Sequence, residues 1–443
     1  MATRIYRTST AGSTTTWTWS GWIKRGIVSS GNQTLFAGVT DGNNWTEAYF
    51  KADDLLYIEN NDSSSITGRL ITSRKFRDPG AWMHIVVVWD TTNGTAGDRM
   101  RLYVNGVEET AFGTDTNPGS SQASILNEAS SVTSVGGHSL AAEDFYGEMS
   151  HVQFVDGAAL APTEFGEVDS TSGIWKIKTG AYATPGTNGF FLKMEDRTNL
   201  DLDSSSNAFT MTTSGTLTAT YDNPSNNFCT VNPLDNYYAG STFSNGNNTI
   251  ATANNGAWSN ATMGLVSGKW YWETKCTVGG TDSWIQGIAS TSTTSTANYI
   301  GENANNYGYF ANGQTYTGGS GSAYGNTYGV DDIIGNYLDL DNNKMYWAIN
   351  GTVQNSGTGL SITAPASTLL GAYFPAVGDW STAQNYTIHT NFGNGYFGTT
   401  AVTSAVADAG GIGAFEYDPS AGTFDSASKN FMAVCTKNIK AYG

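Results

Sequence analysis

Acids that could work as a pair are the first residues to weigh, and Glu143, Asp144 and Glu148 come nearest to one another. A retaining glycosidase needs two carboxyl groups about 5 Å apart, which on a strand means one face and a spacing of i and i+4 or similar. No Glu-x-Asp-x-(x)-Glu run supplies that spacing, and Glu148 follows Gly147 on what reads as an ordinary strand. A solvated face is therefore expected there. Nucleophilic catalysis would need a serine or cysteine beside a base, yet His84, His138, His151 and His389 accompany no Gly-x-Ser-x-Gly elbow. His84 falls inside the apolar run 82–89 and is expected to be a hydrogen-bonded interior histidine. Cys229, Cys276 and Cys435 are odd in number and lack CxxC spacing, so buried free thiols are expected. These readings point to a protein that is not an enzyme.

Cation binding has equally thin support. Asp201 and Asp203 open a run of oxygen-bearing side chains like the start of an EF-hand loop, but Ser206 stands where that loop needs Gly and Thr212 where it needs Glu. The run 339–343 fails in the same way and reads better as a turn. Recognition is what the loops support. Tyr299, Tyr307, Tyr309, Phe310, Tyr316, Tyr324 and Tyr328 lie among Gly, Asn and Ser, and Trp380 sits in the segment 378–381. Tyrosine offers rigid amphipathic contact area while Asn and Ser offer adaptable hydrogen bonds, as in antibody loops. Tyr299, Tyr307, Tyr309, Tyr316, Tyr324, Tyr328 and Trp380 are the expected ligand contacts.

The elements that must position them are strands. Arg101-Leu102-Tyr103-Val104-Asn105-Gly106-Val107 and Met345-Tyr346-Trp347-Ala348-Ile349-Asn350-Gly351-Thr352 each run an alternating strand into an Asn-Gly hairpin. The run 82–90 is almost continuously apolar, which fits a central strand covered on both faces. In 270–276, Trp270, Trp272, Thr274 and Cys276 share one face, with Tyr271, Glu273 and Lys275 on the other, so a half-buried strand is expected. Residues 334–349 read as a β-meander turning at Asp341-Asn342-Asn343.

With 443 residues, 13% charged and 12% aromatic, 53 Gly and 9 Pro, the composition is that of a β-rich chain of two or three domains. The net charge of −17 argues against nucleic acid or an anionic membrane as partner. Met1 to Arg7 lack an apolar signal core and no run approaches a membrane span, so synthesis in a cytoplasm is expected.

Four segments resemble the laminin-G-like, concanavalin A-like jelly roll: Trp17-Thr18-Trp19-Ser20-Gly21-Trp22-Ile23, 82–90, the first hairpin, and 145–154 followed by Asp156-Gly157-Ala158-Ala159-Leu160. Gly268-Lys269-Trp270-Tyr271-Trp272-Glu273, Gln286-Gly287-Ile288-Ala289, 334–341 and Trp347-Ala348-Ile349-Asn350-Gly351 resemble the SPRY domain. The join 227–235 and the closing phrases 415–419 and 431–439 resemble virion proteins of tailed bacteriophages, especially marine ones. These resemblances imply an all-β protein of two tandem concanavalin A-like sandwiches, 1–222 and 223–400, with a C-terminal docking tail at 401–443. The docking residues would be Phe415, Tyr417, Phe431, Val434 and Ile439. They further imply a virion surface protein, made in the bacterial cytoplasm: a tail fibre or tail-associated adhesin binding a host glycan or protein, contacting other virion proteins, and forming a homotrimer. A head decoration protein or capsid fibre is the alternative, and a glycan depolymerase a weaker one. No cofactor is implied beyond the structural Ca²⁺ common in such sandwiches.

Overall fold

The computed structural model describes residues 3–235, 240–253, 256–280, 283–292, 299–380, 384–425 and 429–443. The chain divides into two compact units, Met1–Ala219 and Thr220–Gly443. Among the described residues no helix is long and apolar enough to cross a membrane.

The first unit is built from β1 (Arg4–Thr8), β2 (Thr16–Arg25), β3 (Gln33–Asp41), β4 (Asn44–Phe50), β5 (Leu56–Asp62), β6 (Ser65–Thr72), β7 (Met83–Asp90) and β8 (Met100–Val104). It continues through β9 (Val107–Glu108), β10 (Phe112–Thr116), β11 (Val132–Val135), β12 (Gly147–Asp156), β13 (Gly166–Val168), β14 (Trp175–Ile177), β15 (Phe190–Leu192) and β16 (Thr212–Ser214). One sheet runs β10-β6-β5-β4-β3-β11-β1-β16 and the other β15-β12-β2-β7-β8-β9. Trp17, Trp19 and Trp89 fill the space between them, with Trp17 and Trp89 stacked at 6.0 Å. As its sequence implies, β7 is central and covered twice. Ile85, Val87 and Trp89 face the core, while Val86 and Val88 pack under Phe165 and Val155. Asn105 and Gly106 both take positive φ between β8 and β9, as a type I′ turn requires.

The second unit comprises β17 (Thr242–Ser244), β18 (Thr249–Ala251), β19 (Trp258–Asn260), β20 (Lys269–Val278), β21 (Trp284–Ala289), β22 (Tyr307–Phe310), β23 (Gln314–Thr317), β24 (Ser320–Ala323) and β25 (Ile333–Asp339). Then come β26 (Lys344–Ile349), β27 (Thr352–Val353), β28 (Leu360–Ser361), β29 (Phe374–Asp379), β30 (Thr387–Asn391), β31 (Tyr396–Phe397), β32 (Thr400–Ala401), β33 (Met432–Ala433) and the short helix α1 (Thr436–Tyr442). One sheet runs β17-β18-β30-β20-β25-β26-β27, and the other β19-β29-β21-β22-β23-β24. The meander β25–β26 pairs Ile334 with Ile349 and Asp339 with Lys344, the register its alternation requires.

Two expectations fail together here. β20 is buried on both faces, because the segment after residue 401 folds back over Tyr271, Tyr337 and Tyr346. Phe415, Phe431 and Val434 are fully buried, and β33 pairs in parallel with Trp270 and Tyr271 of β20. Ile439 packs on the main core, and the Tyr417 ring lies 2.6 Å from where a Cβ on Gly351 would sit. Residues 401–443 are thus part of the second sandwich and no free docking tail. The Ser420–Asn430 stretch that separates the two closing phrases contributes Phe424 to the same cluster, and 426–428 lie outside the described residues.

Glu273 is the fastening. Its carboxylate accepts from Glu416 N at 3.0 Å, Tyr417 N at 2.8 Å, Tyr271 Oη at 3.0 Å and Asn391 Nδ2 at 3.1 Å. Burial pushes its pKa up to about 7, against those donors, which favour the charged form.

Deleting residues 411–443 should abolish cooperative unfolding of the second unit while the first keeps its own transition. Phe431→Ala alone should cost about 3–5 kcal/mol in urea. A truncated chain that retains both transitions would show the tail to be dispensable. The raised Glu273 pKa means the native state holds a proton that the unfolded chain releases between pH 4.5 and about 7. Stability should therefore fall as pH rises through that window, by on the order of 3 kcal/mol from this group. Comparing denaturation of wild type and Glu273→Gln across the window isolates it; parallel slopes would refute the assignment.

Candidate functional site

Of the seven aromatic residues read as ligand contacts, the structure brings three together at the surface. Tyr307 and Tyr309 belong to β22 and point inward with Tyr324 and Tyr328, all four buried in the main core. Their hydroxyls are occupied. Tyr309 donates to Asn326 O at 2.6 Å, Tyr328 donates to Tyr309 O at 2.6 Å, and Tyr324 reaches Thr358 O at 3.3 Å. These four are corrected from ligand contacts to core residues. The strand Tyr307-Gly308-Tyr309-Phe310 has period-two alternation, but Gly and Asn around it gave the stretch the look of a loop.

Tyr299, Tyr316 and Trp380 remain, joined by Phe310 from the opposite face of β22. Trp380 lies 4.9 Å from Tyr299, 5.8 Å from Tyr316 and 5.5 Å from Phe310, centroid to centroid. Beneath them Trp258, Ile285, Ile300 and Ala376 form a second apolar layer on the outer face of the six-stranded sheet. Trp380 follows β29, its N–H bound to Ser283 O at 2.9 Å, and its side chain is 40% exposed. Ser381, next in the same segment, lies outside the described residues. The Tyr316 hydroxyl donates to Gln314 Oε1 at 2.8 Å, and burial raises the Tyr299 pKa with Glu302 adding to the shift. The result is an aromatic platform edged by amides and hydroxyls. Such a surface can stack on an apolar face of a ligand.

The groups weighed for catalysis are engaged elsewhere. Glu143 accepts from Asn32 Nδ2 at 2.9 Å, Asp144 from Thr3 N, and Glu148 stands opposite Lys24 on β2. Sequence reading missed that Glu143 meets Glu47, which pairs across β4 and β5 with Glu59. Burial lifts the Glu47 carboxyl well above its ordinary range, while the Thr34 hydroxyl donates to it and Glu143 adds repulsion. Glu59 is held by Tyr49 Oη at 2.8 Å and Arg69 Nε at 2.5 Å. Matching the two strands residue for residue across their short connection would have revealed this pair.

His84 meets a serine in a contact that resembles a catalytic dyad. Trp175 Nε1 donates to its Nδ1 at 3.0 Å, so Nε2 carries the proton and donates to Ser20 Oγ at 2.8 Å. That proton sits on the nitrogen a base would need free. The ring is enclosed by Trp22 and Trp175, and burial pushes its pKa down to about 3. The cysteines are buried free thiols, as expected, with Cys276 pushed up to about 12 by burial. In the EF-hand-like run, Asp203 accepts from Phe191 N, Ser205 N, Ser205 Oγ and Phe209 N, so amide and hydroxyl donors occupy its oxygens. Among the described residues no group of three or more His, Cys, Asp or Glu is placed to hold a metal.

Comparison with known proteins agrees with this architecture. Residues 4–164 match the concanavalin A-like lectin/glucanases superfamily, in its laminin-G-like branch, and residues 269–395 match the SPRY domain. The chain therefore carries a laminin-G-like sandwich followed by a SPRY sandwich. Similar solved structures include a heptameric SAP-like pentraxin from Limulus polyphemus, at 22% identity over 36% of this chain and 72% of that one, TM-score 0.28. The SPRY domain of human HERC1 matches at 14% identity over 36% and 96%, TM-score 0.28. Domain 4 of AbnA, a GH43 extracellular arabinanase from Geobacillus stearothermophilus solved with arabinotriose, matches at 19% over 36% and 69%, TM-score 0.28.

Truncating Trp380 to alanine should cost about 1–2 kcal/mol, because its partly exposed side chain loses ring contacts with Tyr299, Phe310 and Tyr316. Tyr309→Ala should cost about 3 kcal/mol or more, as for a large core aromatic. Urea unfolding of both variants decides whether platform and core are the distinct sets described.

Proposed function

We propose that this chain is a non-catalytic recognition protein of a tailed-bacteriophage virion, a tail fibre or tail-associated adhesin that holds a host surface glycan or protein on its SPRY sandwich. The carrying observation is Trp380, exposed above Tyr299, Phe310 and Tyr316 and backed by a buried apolar layer. Aromatic area of this kind gives contact energy at little entropic cost.

The virion setting rests on the resemblance of the phrases at 227–235, 415–419 and 431–439 to virion proteins of tailed bacteriophages; in the structure the three pack together. Phe228 bridges Cys435, Cys229 N donates to Val434 O at 2.9 Å, and Phe228, Phe415 and Phe431 share one cluster. With those apolar residues enclosed, attachment to other virion proteins has to use a different surface. Support for a binding role without catalysis comes from the acids and histidines, which are engaged in hydrogen bonds that hold loops and strands in place. Several copies on one particle would turn weak single contacts into firm attachment.

The test is binding of the purified chain to intact host cells and to their extracted surface polysaccharide. Trp380→Ala should weaken binding by about tenfold or more, the loss typical of a central aromatic anchor. Equal binding by the variant would remove the platform from the ligand site. New reducing ends released from the polysaccharide would replace recognition with hydrolysis.

A further inference from the structure

Among the described residues strand β24 is the longest uncharged sheet edge, since β16, β17 and β27, which are also uncharged, run three residues or fewer. Natural sheet edges are blunted by bulges, charges, brevity or cover. Here β10 has a register shift between Phe112 and Thr114 and carries Asp115, and β9 is two residues ending in Glu108. β15 is bridged by Asp203 through Leu192, and Asn232 N bonds Asn260 O of β19. β24 reads Ser320-Gly321-Ser322-Ala323, with every residue exposed, no charge, no proline and no shift in register.

The hairpin geometry says which groups it presents. Gly318 and Gly319 take φ of 55° and 73° in a two-residue turn, with Thr317 opposite Ser320. Hydrogen-bonded and open pairs alternate from there, so Ser320 and Ser322 bond inward to β23. Gly321 and Ala323 turn both N–H and C=O outward, and neither has another backbone partner among the described residues.

We propose that β24 pairs with β24 of a second copy of this chain, antiparallel about a two-fold axis through Ser322. Outward-facing residues must oppose outward-facing residues. Setting Gly321 against Ala323 of the second copy, and Ala323 against its Gly321, meets that condition on both sides at once. The side chains select this occupant over an arbitrary strand. The Tyr316 ring overhangs the edge, 2.7 Å from where a Cβ on Gly321 would lie, so the opposing residue must be small, and alanine is. Chains of net charge −17 repel one another, and this edge, which adds no charge of its own, lets two copies approach at the least electrostatic cost. The contact is isologous, so it closes at two and does not propagate. It sets two aromatic platforms on one continuous sheet, although it stands independently of what they bind.

Sedimentation equilibrium of the full chain should show a dimer that tightens with added salt. Ala323→Pro removes an outward N–H that the β23 ladder does not use, and should weaken association by about tenfold or more while the melting temperature, compared at concentrations where both proteins are monomeric, stays unchanged. Ser322→Cys should cross-link to itself on mild oxidation, because open antiparallel pairs bring Cα atoms to about 4.5 Å and a disulfide accepts that span. Ser320→Cys should not cross-link, and the native thiols are buried. A monomer at all concentrations, a trimer, or a Ser322→Cys chain that fails to cross-link overturns the proposal. Should Ala323→Pro misfold, the cysteine pair decides alone. Trp380→Ala should dimerise normally, so failure of either reading is distinguishable from failure of the other.

Discussion

A buried carboxylate on the middle strand of the second sheet governs the second unit. Glu273 lies on the outward face of β20, where an open sandwich would leave it in water. Instead it is fully buried, and two of its four donors are backbone N–H groups from residues 416 and 417. Burying an acid without partners is prohibitive, while removing one partner of a satisfied set leaves the rest stranded. The sheet and the returning segment therefore stand or fall together. The same returning segment packs Phe415 on Tyr271 and Phe431 on Tyr337, so the carboxylate and the rings hold it jointly.

The same device recurs through both units and explains the use made of the chain's acids. Asp408 receives Gly410 N, Ile412 N, Ala433 N and Asn438 Nδ2. Asp156 receives Ser13 N, Asn127 Nδ2 and Asn188 N, and Asp54 binds Arg25, Arg77 and Ser29 N. Each ties chain segments far apart in sequence by meeting main-chain donors that lack a ladder partner. In a protein with few helices and long connections, carboxylates take the place of regular structure at such points.

Much of the frame was legible in the residues alone. Both Asn-Gly turns, the doubly covered β7 and the β25–β26 meander carry their signal within a few neighbouring residues, and each stands where its pattern implies. The first compact unit ends at Ala219. What escaped was non-local. Tyr309 and Tyr328 differ from Tyr299 and Tyr316 in which face of the sheet they occupy, and glycine-rich surroundings hide that alternation. Nothing near Glu273 tells that residues more than a hundred positions later will cover it. Trp380 could be singled out because an aromatic in a short loop after a strand has few ways to be buried, although its three companions came from a longer set.

The parallel strand β33, laid beside β20 late in the chain, imposes an order on synthesis. The first sandwich has its last strand, β16, paired to its first, β1, by residue 214. It can close while the ribosome is still making the second. The second has no such freedom. From the emergence of β20 until residues 415–433 are made, its aromatic outer face has no cover, and an interrupted chain carries that face exposed. A chain interrupted before residue 415 therefore pairs one closed sandwich with one whose aromatic face is open to solvent.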